Sequence, residues 1–344
     1  MRYKFFTSSE SAWRGMYDAI SAARESVYLE MYIFIDDMKA VNFLELLKTK
    51  ARSRVRVRII LDSFGSAELS ERAVKGLREA GAEVFFFSSI LHRTHRKILI
   101  VDEEYAFIGG VNFHQSTKHW NDLVVGLHGR LITPVVRSFA RAYALAGGHD
   151  PQVLSKNKKL PYLGKTENWF YEHFPSRGKK SLKKIYKEHI HNAAESLVFV
   201  TPYFMPKRWL AGVLHQAVLR GVRVEVLVPA STDYFTLDRV NYFYMHRLGK
   251  LGVQFYLSPS MNHAKAMLID GKEALIGSQN LDVLSFGWNA EAGIFFSEPE
   301  PVQKLIEITE AWKREAQLFN TAAYKPAWYD RLLGPFIVFF TRIS

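Results

Sequence analysis

Two short stretches of this chain carry the same set of reactive side chains. The first reads His95-Arg96-Lys97-Ile98-Leu99-Ile100-Val101-Asp102 and continues with Ile108-Gly109-Gly110-Val111-Asn112. The second reads His263-Ala264-Lys265-Ala266-Met267-Leu268-Ile269-Asp270 and continues with Ile276-Gly277-Ser278-Gln279-Asn280. Every motif position recurs at a single offset of 168 residues (263 − 95), so chance is a poor explanation. An imidazole serves as nucleophile or as proton donor and acceptor near neutral pH, and a neighbouring lysine supplies fixed positive charge. The Asn112 and Asn280 amides can donate to a phosphoryl oxygen, and the small residues Gly109, Gly110, Gly277 and Ser278 let the backbone approach a ligand closely. What is needed to hold and attack a phosphodiester is therefore present twice.

Strands would position these groups. On a strand, residues i and i+2 project from one face, so His95 points with Lys97 and His263 with Lys265. Asp102-Glu103-Glu104 and Asp270-Gly271-Lys272 are turn signals that fold each apolar run back into a second strand, residues 105–108 and 273–276. Asp102 and Asp270 stand at an odd interval from their histidines. Although they belong to the motifs, that interval points them away from the histidines and predicts a structural role.

The repetition extends well beyond the motifs. Ala23-Arg24-Glu25-Ser26-Val27-Tyr28-Leu29 returns as Ala193-Ala194-Glu195-Ser196-Leu197-Val198-Phe199. Val55-Arg56-Val57-Arg58-Ile59-Ile60-Leu61 returns as Val222-Arg223-Val224-Glu225-Val226-Leu227-Val228, and Gly81-Ala82-Glu83-Val84-Phe85-Phe86 as Gly252-Val253-Gln254-Phe255-Tyr256-Leu257. Helical and strand patterns alternate in the same order both times, which predicts a duplicated α/β fold with a largely parallel core sheet. The polar, Lys-, Pro- and Gly-containing stretch over about residues 148–180 is the natural join. The expected parts are residues 1–155, residues 156–320 and an apolar tail, residues 321–344.

With 344 residues, 48% of them hydrophobic, the chain can bury a sizeable core. A formal charge of +12 favours an anionic partner such as nucleic acid or phospholipid headgroups. The absence of cysteine excludes disulfides, thiolate metal sites and a cysteine nucleophile. The N-terminus lacks the apolar run of a signal peptide, and no window has the roughly 20 apolar residues of a spanning helix. The expectation is thus a soluble or peripheral protein. The tail carries Trp328, Tyr329, Leu332, Leu333, Phe336, Ile337, Val338, Phe339 and Phe340. It reads as an interfacial anchor, with Arg331 and Arg342 at headgroup level, or as a terminal element docked on the core.

Other candidates are weaker. His92, His114 and His119 flank the first motif without pairing by spacing and are read as solvated or packing residues. His189 and His191 do not share a helix face, which argues against a metal pair. The run from Lys179 to Lys187 is first the solvated face of a helix and second a headgroup patch. Tyr32, Phe34, Tyr203 and Phe204 are read as core, with an acyl channel as the alternative.

The doubled His-x-Lys-x4-Asp motif, followed by Gly-Gly-x-Asn and Gly-Ser-x-Asn, resembles the signature of the phospholipase D superfamily over nearly the whole chain. The flanks, including Asn280-Leu281-Asp282-Val283-Leu284-Ser285-Phe286-Gly287-Trp288-Asn289-Ala290-Glu291, Trp120-Asn121-Asp122 and Thr201-Pro202-Tyr203-Phe204-Met205-Pro206, are most similar to bacterial cardiolipin synthases of the branch without transmembrane helices. Leu284 replaces an arginine of many such synthases, and His114-Gln115-Ser116 replaces an acidic stretch.

The resemblance implies two fused α/β repeats related by pseudo-twofold symmetry, with central mixed, mostly parallel sheets flanked by helices. It makes His95, Lys97, Asp102, His263, Lys265 and Asp270 the catalytic set, with Asn112 and Asn280 binding phosphate and Asp122 and Glu291 orienting the histidines. Neither a metal nor another cofactor is expected. The implied reaction moves a phosphatidyl group from phosphatidylglycerol to a second phospholipid alcohol through a phosphohistidine. His95 is taken as nucleophile and His263 as acid and base, but the near-symmetry of the motifs leaves the exchanged assignment open. The implied setting is the inner face of the cell membrane, with a peripheral, cytoplasmic protein on anionic lipid; nucleic acid is the less favoured partner. The sequence leaves open the oligomeric state. A hydrolytic phospholipase D, a nuclease of the same superfamily and a silent binding module are the rival readings.

Overall fold

A computed structural model of the chain describes residues 2–36, 38–39, 41–87, 93–157, 167–175 and 182–325. His92, Lys179, Lys180 and the apolar residues from 327 onward lie outside the described residues. The chain divides into two units. One holds the residues up to Glu172 together with Ala290–Ile294, and the other holds His173–Asn289 and the residues from Phe295 onward.

The first unit is built on a seven-stranded sheet. Its spatial order is Arg2–Ser8, Asn121–His128, Tyr105–Gly109, Ile98–Val101, Ser26–Met31, Arg56–Asp62 and Glu83–Phe87. Ser26–Met31, Arg56–Asp62 and Glu83–Phe87 are parallel neighbours, while Ile98–Val101 runs antiparallel to both Ser26–Met31 and Tyr105–Gly109. Helices Phe43–Arg52 and Glu71–Glu79 make the crossovers between the parallel strands that such pairs require. The mixed α/β class is as expected, but the share of parallel pairing is smaller. Each motif strand returns through a tight hairpin, and a hairpin can only be antiparallel.

In the second unit the same succession recurs. Gln254–Ser258, Arg223–Pro229 and Ser196–Val200 are parallel neighbours, and Ala266–Ile269 and Glu273–Gly277 follow antiparallel. The short strand Gln317–Leu318 pairs with Gln254–Ser258 on the other side.

Local chemistry sets the element ends. Helix Ser9–Ala22 starts at a capping box between Ser8 and Ser11 and turns Ala12, Trp13, Met16 and Ile20 inward, the i, i+4 spacing of a single buried face. Helices Glu71–Glu79 and Phe235–Gly249 are followed by Gly81 at φ 100° and Gly252 at φ 93°, a left-handed conformation in which a side chain would strain the backbone. Strand Ser26–Met31 is buried along its whole length. Among the described residues no helix is long and apolar enough to cross a membrane.

Candidate active site

Both motif hairpins turn on residues with positive φ. Asp102 and Glu103 stand at 50° and 55°, and Asp270 and Gly271 at 53° and 63°, left-handed positions that open the three-residue loops between the paired residues Val101–Tyr105 and Ile269–Glu273. Asp102 is then used by the backbone. Its carboxylate accepts the N–H groups of Arg24, Glu25 and Ser26 at 2.9, 2.8 and 2.8 Å. Asp270 does the same for Ala194, Glu195 and Ser196 at 2.9, 2.8 and 2.8 Å. Burial raises both carboxyl groups, but the three N–H donations outweigh it and hold each below the ordinary carboxylate value. Each motif aspartate thereby ties its hairpin turn to the start of the neighbouring strand.

The histidines stand just before the regular strands, which begin at Ile98 and Ala266 rather than at the motif's first residue. Lys97 nevertheless shares a side with His95. The Lys97 ammonium lies 4.8 Å from the Tyr32 ring centroid, and the same ring meets the His95 imidazole edge-on at 4.7 Å. Lys97 Nζ donates to the His95 carbonyl at 2.7 Å, and Lys265 Nζ donates to the His263 carbonyl. All four side chains are buried, so the cations sit where their field is little screened.

Glu291 settles the setting of the first histidine. Its carboxylate, fully buried, lies 3.1 Å from His95 Nδ1 through both oxygens. The residue lies in Ala290–Ile294, which belongs to the first unit, and Ala290 accepts the His95 N–H at 3.0 Å. In sequence Glu291 follows the second motif; in space it serves the first. With Nδ1–H donated to a carboxylate, the ring carries its lone pair on Nε2. Asp122 is buried, and one oxygen accepts the Leu123 N–H at 2.7 Å.

Asn112 and Asn280 are buried beside their motifs, and their Oδ1 atoms have no hydrogen-bond partner among the described residues. The Asn112 carbonyl is fixed by Trp13 Nε1 at 2.8 Å, and Phe113 donates to Ile33 at 2.9 Å, which sets Asn112 along the Tyr32 segment. Asn280 gives one amide proton to Asp282 at 3.2 Å, while its own N–H is taken by Ser285 Oγ at 2.9 Å.

Of the aromatic candidates, Phe34 and Phe204 are core, as read from the pattern. Tyr32 packs on the first histidine. Tyr203 lies 6.5 Å from the His263 ring and donates its hydroxyl to Asp233 at 2.5 Å. Burial, then the Asp233 charge, push that hydroxyl far above the ordinary tyrosine value, so it stays a donor. His114 caps the turn Gln115–Thr117, His119 is exposed, and His189 pairs with Glu273 at 3.0 Å, not with the exposed His191. No group of three or more His, Asp or Glu side chains among the described residues is arranged to hold a metal.

Sequence reasoning missed three residues beneath the first motif: Glu30, Asp62 and Thr94. It also quoted Arg96 without giving it a part. A visible signal existed, since Glu30 and Arg96 are charges in otherwise apolar strand-forming runs, and such charges are seldom buried without a partner.

A family model described as "Cardiolipin synthase, PLD-like domain" matches residues 16–142 and again residues 186–312. The chain is 27% identical to the probable cardiolipin synthase YwiE of Bacillus subtilis, over 99% of this chain and 72% of that protein. It is also 27% identical to the major cardiolipin synthase ClsA of the same organism, over 96% of this chain and 74% of that protein. Among solved structures, phosphatidylserine synthase from Haemophilus influenzae superposes with a TM-score of 0.74 at 16% identity, covering 99% of this chain and 94% of that one. Polyphosphate kinase from Porphyromonas gingivalis gives 0.66 at 13% identity, covering 100% of this chain and 54% of that one. These two likenesses speak for the fold. With the family model matched twice across most of its length, the chain belongs to the cardiolipin synthase, phospholipase D-like family and is a phosphotransferase acting on phosphodiesters.

Proposed function

We propose that this enzyme moves a phosphatidyl group from phosphatidylglycerol to the hydroxyl of a second phospholipid through a phosphohistidine. The observation that carries the reading is the seating of His95 on the buried Glu291 carboxylate at 3.1 Å. An imidazole held through Nδ1 presents Nε2 as a neutral nucleophile. In the first displacement His95 Nε2 bonds to phosphorus, the glycerol oxygen leaves, and His263 gives it a proton. In the second, the incoming hydroxyl loses its proton to His263 and bonds to phosphorus, and His95 leaves as the neutral base. Lys97, Lys265 and the Asn112 and Asn280 amides stabilise the charge on the non-bridging oxygens. Asp102 and Asp270 support the hairpins and take no proton.

The substrate class follows from the named relatives, and the charge of +12 suits an anionic lipid surface. Exposed aromatics support a peripheral seat on a membrane. Phe64 is 67% exposed and lies two residues past Asp62, which holds Thr94 beside His95. Phe235 is 76% exposed and lies two residues past Asp233, which holds Tyr203 beside His263. We take the cytoplasmic face of the cell membrane as the setting, and residues 1–155 and 156–320 as the two repeats.

The test is product analysis by mass spectrometry after incubation with phosphatidylglycerol vesicles, beside His95→Ala and His263→Ala controls. Cardiolipin with glycerol, absent in both variants, is the expected result. Phosphatidic acid alone would make the enzyme a hydrolase, and no lipid turnover would overturn the reading. Retention of configuration at a chiral phosphorus is expected; inversion would overturn the covalent step.

A further inference from the structure

Glu30 is a carboxylate in a strand with every residue buried, and it is 1% exposed. Its two oxygens hold the two residues that flank His95. Thr94 donates its hydroxyl to Oε1 at 2.5 Å, and the Arg96 guanidinium lies 3.4 Å from Oε2 with its side chain wholly buried. The bracket is anchored at both ends. The Thr94 N–H donates to Asp62 Oδ2 at 2.9 Å, and Asp62 also accepts the Phe64 and Gly65 N–H groups at 3.0 and 2.8 Å. Arg96 donates to Ser138 Oγ at 2.7 Å, and that hydroxyl donates to Glu172 at 2.5 Å, which is also paired with Arg141. Glu291 acts on the Arg96 charge as well, so the carboxylate that seats His95 and the cation beside His95 are coupled.

A buried ion pair is costly to form and is often replaced by apolar residues without loss of stability. The second repeat provides that replacement within the same chain. Glu30 pairs with Ile98 and Val200 with Ala266, so Val200 stands where Glu30 does, and Ala264 stands where Arg96 does. That copy forms the same hairpin with the same aspartate, so the hairpin does not require the ion pair. What the ion pair does hold in the first copy is the pair of residues on either side of His95.

We propose that Glu30 and Arg96 are positioning residues for His95, a buried bracket that holds the Thr94–Arg96 backbone so that the imidazole stays seated on Glu291. The inference rests on the proposed transfer for its kinetic arm only.

The experiment uses the full chain with Glu30→Val/Arg96→Met, which imitates the apolar second copy at similar volume, together with Arg96→Lys and Thr94→Val. Three quantities are read: kcat and KM for transfer on phosphatidylglycerol vesicles, the thermal unfolding midpoint, and the ¹⁵N signals of the His95 imidazole, assigned by comparison with His95→Ala. The double variant is expected to unfold near the wild-type midpoint and to lose kcat by roughly 10- to 100-fold at similar KM, the usual effect of removing an outer support. Its His95 should change from one tautomer to a mixture, and Arg96→Lys should recover most of the rate. A folded double variant with wild-type kcat and one His95 tautomer would overturn the inference. Should the double variant not fold, Thr94→Val decides alone: it removes one hydroxyl, and an unchanged rate and tautomer signal would be equally fatal. If the wild type shows no lipid transfer, the functional reading fails while the ¹⁵N signals still test the bracket.

Discussion

The two motif copies share their reactive residues and their hairpin, yet they are supported differently. Around His95 the support is remote and ionic. Glu30, Asp62 and Glu291 arrive from three separate strands to hold residues 94, 95 and 96. Next to His263 the backbone of the preceding and following residues is fixed at short range. Asn262 Oδ1 accepts the Ala264 N–H at 3.1 Å, an Asx turn spanning the histidine, and Val200 and Ala264 fill the places of Glu30 and Arg96. A remote carboxylate fixes an imidazole only if the intervening fold is rigid, whereas an Asx turn fixes the backbone with its own side chain. Duplication has therefore kept the reactive residues and the hairpin while the residues that bracket them, Glu30 and Arg96 against Val200 and Ala264, have diverged.

The sharpest way to break this comparison is to separate the duties. A phosphatidyl donor with p-nitrophenol as leaving group needs little acid help, so His263→Ala should release about one equivalent of p-nitrophenol per enzyme and stop as a phosphoenzyme. His95→Ala should release none, with steady-state turnover lost by roughly 10³-fold or more in both. A burst in His95→Ala and not in His263→Ala would exchange the two roles.

Next in size is Glu291→Gln, which keeps the shape but removes the charge that fixes the His95 tautomer. By analogy with other carboxylate–histidine pairs, kcat should fall by roughly 10²- to 10⁴-fold with the unfolding midpoint little changed. A variant that keeps full activity would show that the first histidine needs no remote carboxylate.

Asp102→Ala and Asp270→Ala test the feature on which the copies agree. Each should lose roughly 2–3 kcal/mol of stability, as expected for backbone donors deprived of a charged acceptor, while activity per folded molecule changes little. Because both carboxyl groups are held low in the folded state, their stabilisation is complete above the unfolded value of about 3.9 and is lost as pH falls through the lower folded value. The Ala variants should accordingly flatten the acid limb of the stability curve, measured by denaturant titration at stepped pH.

The smallest effect is expected from Asn262→Ala, about 1 kcal/mol for one local hydrogen bond and only a few-fold in rate. A loss as large as that of the Glu30 and Arg96 double variant would erase the difference between the two copies.

Much of this site is legible in the sequence because it is local. The short apolar runs, the turn residues after Val101 and Ile269, and the glycines after two crossover helices are set by backbone sterics within a few residues. The structural role expected of Asp102 holds, but for a different reason: His95 precedes the regular strand and Asp102 sits in the turn beyond its other end, where it accepts the N–H groups of residues 24–26. The share of antiparallel pairing was less legible, because an apolar run does not declare which neighbour it will choose.

The sequence by itself determined the duplication, the α/β class, the two hairpins and the identity of the reactive side chains, all consequences of short-range periodicity and turn chemistry. Only the tertiary structure decided that Glu291, 196 residues from His95, serves the first motif, and that Glu30 brackets its neighbours. A carboxylate's charge is written in the chain, but the group that it neutralises depends on which surfaces pack together, and no local rule carries that information.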